Sequence, residues 1–443
     1  MFFRDLFLLP VLLHLFQHTK MLKKEAYIKL FITSSIAAIL AIGRFFDERL
    51  SVGGINVSIL ISALFLISTI TGFSLYQKFQ IRRFYWILTI FASFILLSFI
   101  NSYFFQDLVM IDNYNLTKFI EFVFITYLIS TLILLTEDFN LVKYLSYALF
   151  LIAFLLLVVG LYAAVKNGFS FNDSERLAVL GGGPIVYARW IITGALFFLF
   201  YIKISWLFKS LYILLVLFLA VQSGSKGPII AFFIAVSVTF FMSFLKTRKF
   251  TFILKTFFFI GILSATLFYF IKNSNSMPSR IKQLAQPEAL QNSTSYTDRQ
   301  ERYQLSFEIL KEQPLGIGLS NWPHYYNEKC KTKVELTDYP HNIFLEIGIE
   351  SGWAALLIFL LIMLLVICRS WNFYFKTIIL VNDDVVKIYN FLFSLFIFAL
   401  FNTNLSGDLS DDRLLFVIMA CMMVITEPTV INKYLSVPAI SKQ

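Results

Sequence analysis

Residues 148–165 read ALFLIAFLLLVVGLYAAV, a run without a charge or a proline. A membrane-crossing strand would alternate apolar and polar positions over about ten residues. This run is apolar on every face, which suits a helix whose backbone hydrogen bonds close internally while its side chains meet lipid. A hydrocarbon core about 30 Å thick requires roughly 20 such residues per crossing. Comparable runs recur from Tyr27 to Thr426 with short polar breaks, so one all-α membrane domain spanning residues 1–443 is expected. Its helical spans are predicted at 28–43, 54–75, 84–104, 119–136, 144–165, 185–203, 206–221, 228–244, 251–271, 342–368, 387–402 and 412–426, about 12 in all. The apolar stretch 5–17 is a short span or an interfacial helix; it ends in QHTKMLKKE without a small-residue cleavage site, so a removable signal peptide is not expected.

Composition agrees with a lipid environment: 58% of the 443 residues are hydrophobic, only 14% are charged, and 52 are Phe. The formal charge of +10 is scattered over loops without a base- or phosphate-backbone-reading motif, which argues against nucleic acid as a partner. Cys330, Cys368 and Cys421 have no paired spacing, so neither a disulfide framework nor a zinc site is indicated. The basic residues instead mark topology. One alternation collects most of them: KMLKKEAYIK, KFQIRR, Lys143, Lys203 with Lys209, KTRKF, Arg369 with Lys376, and Lys433 with Lys442 fall on one side, assigned to the cytoplasm. The long segment 272–340 then lies outside, together with the loops near 44–54, 105–118, 166–183, 222–227 and 402–412. Within it, Tyr303, Phe307 and Leu310 fall at helical spacing until Pro314 and Gly316 end the pattern, predicting an amphipathic helix over the bundle.

Four polar elements share that outer side. In SERLAVLGGGPIVYARW, Arg176 precedes the glycines 181–183 and a helix start, where backbone approach and free N–H groups favour an anion, although many loops before helices look the same. Arg189 in the same stretch sits inside an apolar helix and needs a partner. In QSGSKGPIIAF, Lys226 either meets a phosphate as a point charge or snorkels at the interface. Arg299 and Arg302, three residues apart on the loop helix, either grip one polyanion or pair with Glu301 or Glu308 on a solvated face. In YPHNIFLEIGIESGW, His341 and Asn342 sit where the loop re-enters the bilayer, and Asn342, Glu346 and Glu350 form a stripe at i, i+4 and i+8 on a helix that is otherwise lipid-soluble. Ionisable groups at such depth are functional candidates, and a histidine beside them is a plausible general base. The GDLSDD stretch, with Asp408, Asp411 and Asp412, either holds a cation or pairs with Arg413; no metal site is expected elsewhere.

Taken in order, ERLAVLGGGPIVYAR, SGSKGP, DRQERYQLSFEILKEQPLGIGLSNW, PHNIFLEIGIESG and NLSGDLSDDR resemble the O-antigen ligase and O-antigen polymerase family of bacterial surface-polysaccharide enzymes over residues 170–415. The resemblance implies a fold similar to the GT-C class and an extracytoplasmic, metal-independent, inverting glycosyltransferase in the inner membrane. Its donor would be a glycan on undecaprenyl diphosphate, with no cofactor. It implies His341 as catalytic base, and Arg176, Lys226, Arg299 and Arg302 as ligands of the diphosphate. Asn342, Glu346, Asp408 and Arg413 would support them. Lys226 stands where many relatives carry arginine, keeping the charge without a bidentate fork, and Tyr303 stands where many carry tryptophan. Besides the lipid-linked glycan and membrane lipid, a chain-length regulator and a flippase are implied as partners. PHNIFLEIG, GSKGP and SGDLSDDR look more like a polymerase, which extends a second lipid-linked repeat, than a ligase, which uses lipid A-core. A flippase would place polar positions near mid-membrane on several helices, whereas here they gather at one mouth.

Overall fold

The computed structural model describes residues 24–42, 51–52, 55–75, 81–104, 113–168, 176–178, 183–247, 261, 265, 294–330, 333–335, 338–405 and 408–435. The stretch expected at 5–17, that at 251–271 apart from residues 261 and 265, the glycines Gly181 and Gly182, and residues 272–293 of the long loop lie outside them.

The architecture is helical. In chain order the helices are α1 (Lys24–Ala41), α2 (Val57–Leu75), α3 (Arg83–Phe104), α4 (Asn113–Ile120), α5 (Leu128–Thr136), α6 (Phe139–Lys166), α7 (Gly183–Phe200), α8 (Trp206–Gln222) and α9 (Lys226–Thr247). They continue as α10 (Thr294–Glu312), α11 (Trp322–Lys329), α12 (Ile343–Asn372), α13 (Asp383–Thr403), α14 (Arg413–Ile425) and α15 (Pro428–Ile431). A π-helical stretch, Glu121–Tyr127, joins α4 to α5 without a break. The named strands are a two-residue antiparallel pair, Ser51 opposite Asn56 and Val52 opposite Ile55.

Eight helices among the described residues are long and apolar enough to cross a membrane, or nine if α14 and the bent segment after it count as one span. The difference between eight and about 12 has four sources. The span expected at 251–271 is outside the described residues but for 261 and 265, α8 has 17 residues, α14 has 13, and α1 carries Lys24, Glu25 and Lys29 in its first two turns. The chain is a multi-pass membrane protein. Peripheral helices such as α2 turn Leu60, Ile67 and Ile70 outward, as lipid requires, whereas α7 and α13 are central and mostly buried. Phe91, Phe122, Phe359 and Phe416 interlock rings from α3, the π-helical stretch, α12 and α14 at the core.

The two ends of the bundle differ chemically. At one end, helix starts and stops are tied by ion pairs: Lys29 to Glu25 and Asp138, Arg82 to Glu137, Lys143 to Asp384, Lys203 and Lys387 to Asp383, and Arg369 to Glu427. These are the basic loops that the alternation groups together. The other end collects Arg176, the α8–α9 turn, the loop helices α10 and α11, His341 and the α13–α14 loop.

The loop helix α10 forms where a helix is predicted, but its buried face is Leu305, Ser306, Ile309 and Leu310, and Phe307 is exposed. The displacement follows from α12. After α10 the chain turns through Gly316, and Ile317 N and Gly318 N donate to the carbonyls of Ile349 (2.8 Å) and Glu350 (3.0 Å). Those carbonyls are released because α12 breaks at Gly352, whose φ of 83° lies in the left-handed region. A Cβ on Gly316 or Gly352 would meet facing backbone atoms at 2.7 Å, so both positions require glycine. The short helix α11 then seats the buried Trp322, whose indole N–H donates to Ser306 Oγ at 3.0 Å.

Candidate functional site

The first two polar elements of the sequence meet. Gly224, with φ 68°, turns the chain between α8 and α9, and Arg176 lies against it so closely that a Cβ there would sit 2.9 Å from the guanidinium Nε. Arg176 Nε donates to the Ser223 carbonyl (2.8 Å), its terminal nitrogen donates to Ser225 Oγ (3.3 Å), and Leu177 N donates to the Gln222 carbonyl (3.3 Å). Arg176 is therefore held beside Lys226, the first residue of α9. Two cations and the positive end of a 22-residue helix converge there.

The third and fourth elements meet as well. Asn342 caps α12, its Oδ1 accepting from Phe344 N (3.0 Å) and Leu345 N (3.1 Å). The preceding His341 adopts φ 62°, a strained conformation for a non-glycine residue. Its ring packs edge-on to Tyr339 with centroids 4.4 Å apart, and its carbonyl accepts from the Tyr303 hydroxyl at 3.3 Å. His341 Nδ1 is buried and makes no hydrogen bond among the described residues. Burial, aided by the charges of Arg302 and Arg299, pulls the imidazole pKa down to about 4, so the ring is neutral at physiological pH. A neutral ring keeps the lone pair that proton abstraction needs.

Arg299 and Arg302 have different surroundings. Arg302 donates to Asp338 Oδ2 (3.1 Å) and to the Tyr339 carbonyl (3.0 Å), and its guanidinium lies over the rings of Trp322 and Tyr326. Its carboxylate partner is thus Asp338, from the far end of the loop, rather than Glu301 or Glu308 on its own helix. Arg299 is half-buried one turn earlier, near enough for its charge to act on Tyr303 and His341.

The segment after α13 joins the two groups. The Tyr303 hydroxyl also donates to the Asn404 carbonyl (3.4 Å), and Leu405 packs against Gly227 at the start of α9, where a Cβ would find its side chain at 3.5 Å. Further along, Asp408 Oδ1 accepts from Ser410 Oγ (2.7 Å) and Asp411 N (2.8 Å), while Leu409 N donates to Glu346 Oε1 at 3.1 Å. The charge of Asp408 also acts on His341. Arg413 is buried and donates to the Ile42 carbonyl at 2.8 Å.

Sequence reasoning missed Lys118, which it placed in a loop. Lys118 lies in α4, 1% exposed, with its ammonium 2.5 Å from Glu346 and 2.9 Å from Glu350, which are themselves 0% and 3% exposed. The Glu346/Glu350 stripe thus faces inward onto a cation. A signal for it was present: two carboxylates on one apolar face demand a buried positive partner, and Lys118 lies at the same end of the bundle. Among the described residues no group of three His, Cys, Asp or Glu converges in a way that could hold a metal ion.

Residues 211–360 match the sequence model of the O-antigen ligase family. The matched third of the chain contains Lys226, Arg299, Arg302 and His341; Arg176 and the Asp408–Arg413 loop lie outside it and reach the same site through the contacts above. The match supports an O-antigen ligase- or polymerase-type enzyme of the membrane, and the apolar helices agree with it. A comparison with curated proteins found no match.

Proposed function

We propose that the chain is a glycosyltransferase of the inner membrane that polymerises undecaprenyl-diphosphate-linked repeat units on the extracytoplasmic face by metal-independent inversion. The observation that carries this reading is the convergence at one end of the bundle: an anion cradle (Arg176, Lys226, the start of α9) and a neutral histidine (His341) are joined through Tyr303, Asn404 and Leu405. The donor diphosphate binds at Arg176, Lys226 and Arg299. An acceptor hydroxyl oxygen attacks the anomeric carbon, its proton passes to His341, and the electron pair of the breaking C–O bond leaves with the diphosphate. Fixed guanidinium and ammonium groups stabilise the charge that develops there. Arg302, committed to Asp338 and Tyr339, acts as a positioning residue that holds the strained His341 turn. Asn342, Glu346, Asp408 and Arg413 fix the loop and helix start around it.

The purified protein, given undecaprenyl-linked repeats as sole substrate, is expected to build a ladder of longer lipid-linked chains. The ligase alternative predicts no ladder, with transfer starting only when lipid A-core is added. Neither product would exclude both transferase readings and favour a lipid-linked oligosaccharide flippase, tested by translocation in vesicles.

A further inference from the structure

A second polar region lies between the end of α1, α7, α13 and the start of α14, around a partly open cavity of about 50 Å³. Arg189, Trp190, Asn402, Asp411, Asp412 and Arg413 line it. Asn402 is 2% exposed and Asp412 3%, yet Asn402 Oδ1 and Asp412 Oδ2 have no hydrogen-bond partner among the described residues. The Asn402 amide is oriented by its own helix: Nδ2 donates to the Phe398 carbonyl at 2.8 Å, which leaves Oδ1 as the remaining acceptor. Two buried acceptors at one cavity are costly unless a donor reaches them, about 1–3 kcal/mol each.

The lining charges decide what kind of donor fits. Arg189 and Arg413 share the lining with Asp411 and Asp412, and burial pushes the Asp412 carboxyl well above the usual carboxylate range against the opposing charge of Arg189. An anion would meet Asp411 and the Asp412 carboxyl and a cation two guanidinium groups, so neither is favoured. A neutral molecule whose groups both donate and accept suits all of them, and Trp190 in the lining adds apolar surface on which sugar C–H groups pack. The volume is several times the roughly 10–15 Å³ needed to hold one water, enough for the hydroxyl-bearing edge of a sugar but not for a whole ring. The cavity is also tied to the transfer site. Asn402 precedes by two residues the Asn404 carbonyl that Tyr303 contacts, and Asp412 N donates to the Asp408 carbonyl at 3.0 Å.

We infer that this cavity is a subsite for an uncharged sugar unit of the glycan, taking the hydroxyl edge of a hexose or N-acetylhexosamine on Asn402, Asp412 and the two arginines. The inference rests on the reading of the chain as a glycan-transferring enzyme. The test uses the full protein in lipid nanodiscs with free glucose, galactose, N-acetylglucosamine and N-acetylgalactosamine, followed by saturation-transfer NMR. At least one sugar is expected to bind, with affinity at least tenfold weaker in Asp412→Asn and in Ala399→Leu. The second variant narrows the cavity without touching a polar group. In the chain-extension assay both raise KM for the repeat unit and spare kcat at saturation. Absence of binding by the wild-type protein, or equal binding in both variants, overturns the inference and means ordered water only, while ladder formation would still stand. Sugar binding that depends on both residues in a protein that transfers no glycan upholds the subsite and removes the transferase reading instead.

Discussion

His341 combines a left-handed backbone, a buried Nδ1 without a hydrogen bond among the described residues, and a pKa pulled down to about 4 by burial and neighbouring arginines. His341→Ala is expected to lower kcat by about 10²–10⁴ with the protein still monodisperse and folded; full turnover would remove the general-base role. The acid limb of kcat/KM, which reports the free enzyme, is expected near pH 4, because only below that value does the ring take up a proton. Bound diphosphate brings negative charge to the arginines, so the limb of kcat should lie higher; coincident limbs would show that the diphosphate binds elsewhere. The same depressed value makes the stability linked to His341 complete above its ordinary pKa of about 6.5, and this contribution declines as pH falls from there toward 4. Arg176→Ala is expected to raise donor KM about 10- to 100-fold through loss of a charge-assisted contact, and unchanged donor affinity would empty the cradle. Glu346 and Glu350 were legible in the sequence as a stripe that demands a cation, but which cation was not: Thr117 and Asn115 beside Lys118 look like loop, and only the folded bundle brings it to them. Lys118→Met should cost about 3–5 kcal/mol in an unfolding assay by stranding two buried carboxylates. Full retention of stability would mean that the carboxylates are neutral without it.

At the level of elements, α12 shows how a membrane helix carries a site. A helix of 30 residues is about 45 Å long, well beyond a hydrocarbon core of about 30 Å, and its surplus is the stretch before the Gly352 break that holds Glu346 and Glu350 just after His341. The break releases the carbonyls that dock Ile317 and Gly318, so the loop helices are clamped at the point where the helix leaves regular geometry. Gly352→Ala would force a side chain into the left-handed region and onto Leu315 backbone, costing about 1–3 kcal/mol or more. Hydrogen exchange is the direct measurement: the amides of Ile317 and Gly318 should lose protection while those of α13 keep theirs, and unaltered protection would show that the break does not hold the loop. The spacing of Tyr303, Phe307 and Leu310 identified a helix and two positions of its packed face, the half-buried Tyr303 and the buried Leu310, but misplaced Phe307. Periodicity alone cannot weigh Phe307 against Leu305 and Ile309 when the surface it packs on is another helix with a kink.

For the whole molecule, the separation of ion-paired and site-bearing ends makes sidedness testable. In a variant lacking Cys330, Cys368 and Cys421, a cysteine replacing the exposed Leu315 should react with a membrane-impermeant reagent in spheroplasts, and one replacing the exposed Lys203 only after lysis. The reverse pattern would place the site in the cytoplasm. The class of fold was determined by sequence alone, because lipid admits only helices or closed barrels and runs such as 148–165 are apolar on every face. So was the grouping of Arg176, Lys226, Arg299 and His341 at one end, since a chain crossing the bilayer repeatedly returns alternate loops to the same side. Which of these touch, and through what, was decided by tertiary structure. Arg176 rests on the Gly224 turn, Arg302 is held by Asp338, Lys118 completes the Glu346/Glu350 pair, and the Asn402/Asp412 cavity lies beside them. Buried polar contacts are settled by side-chain geometry across helices distant in sequence, and neither hydropathy nor spacing encodes that geometry.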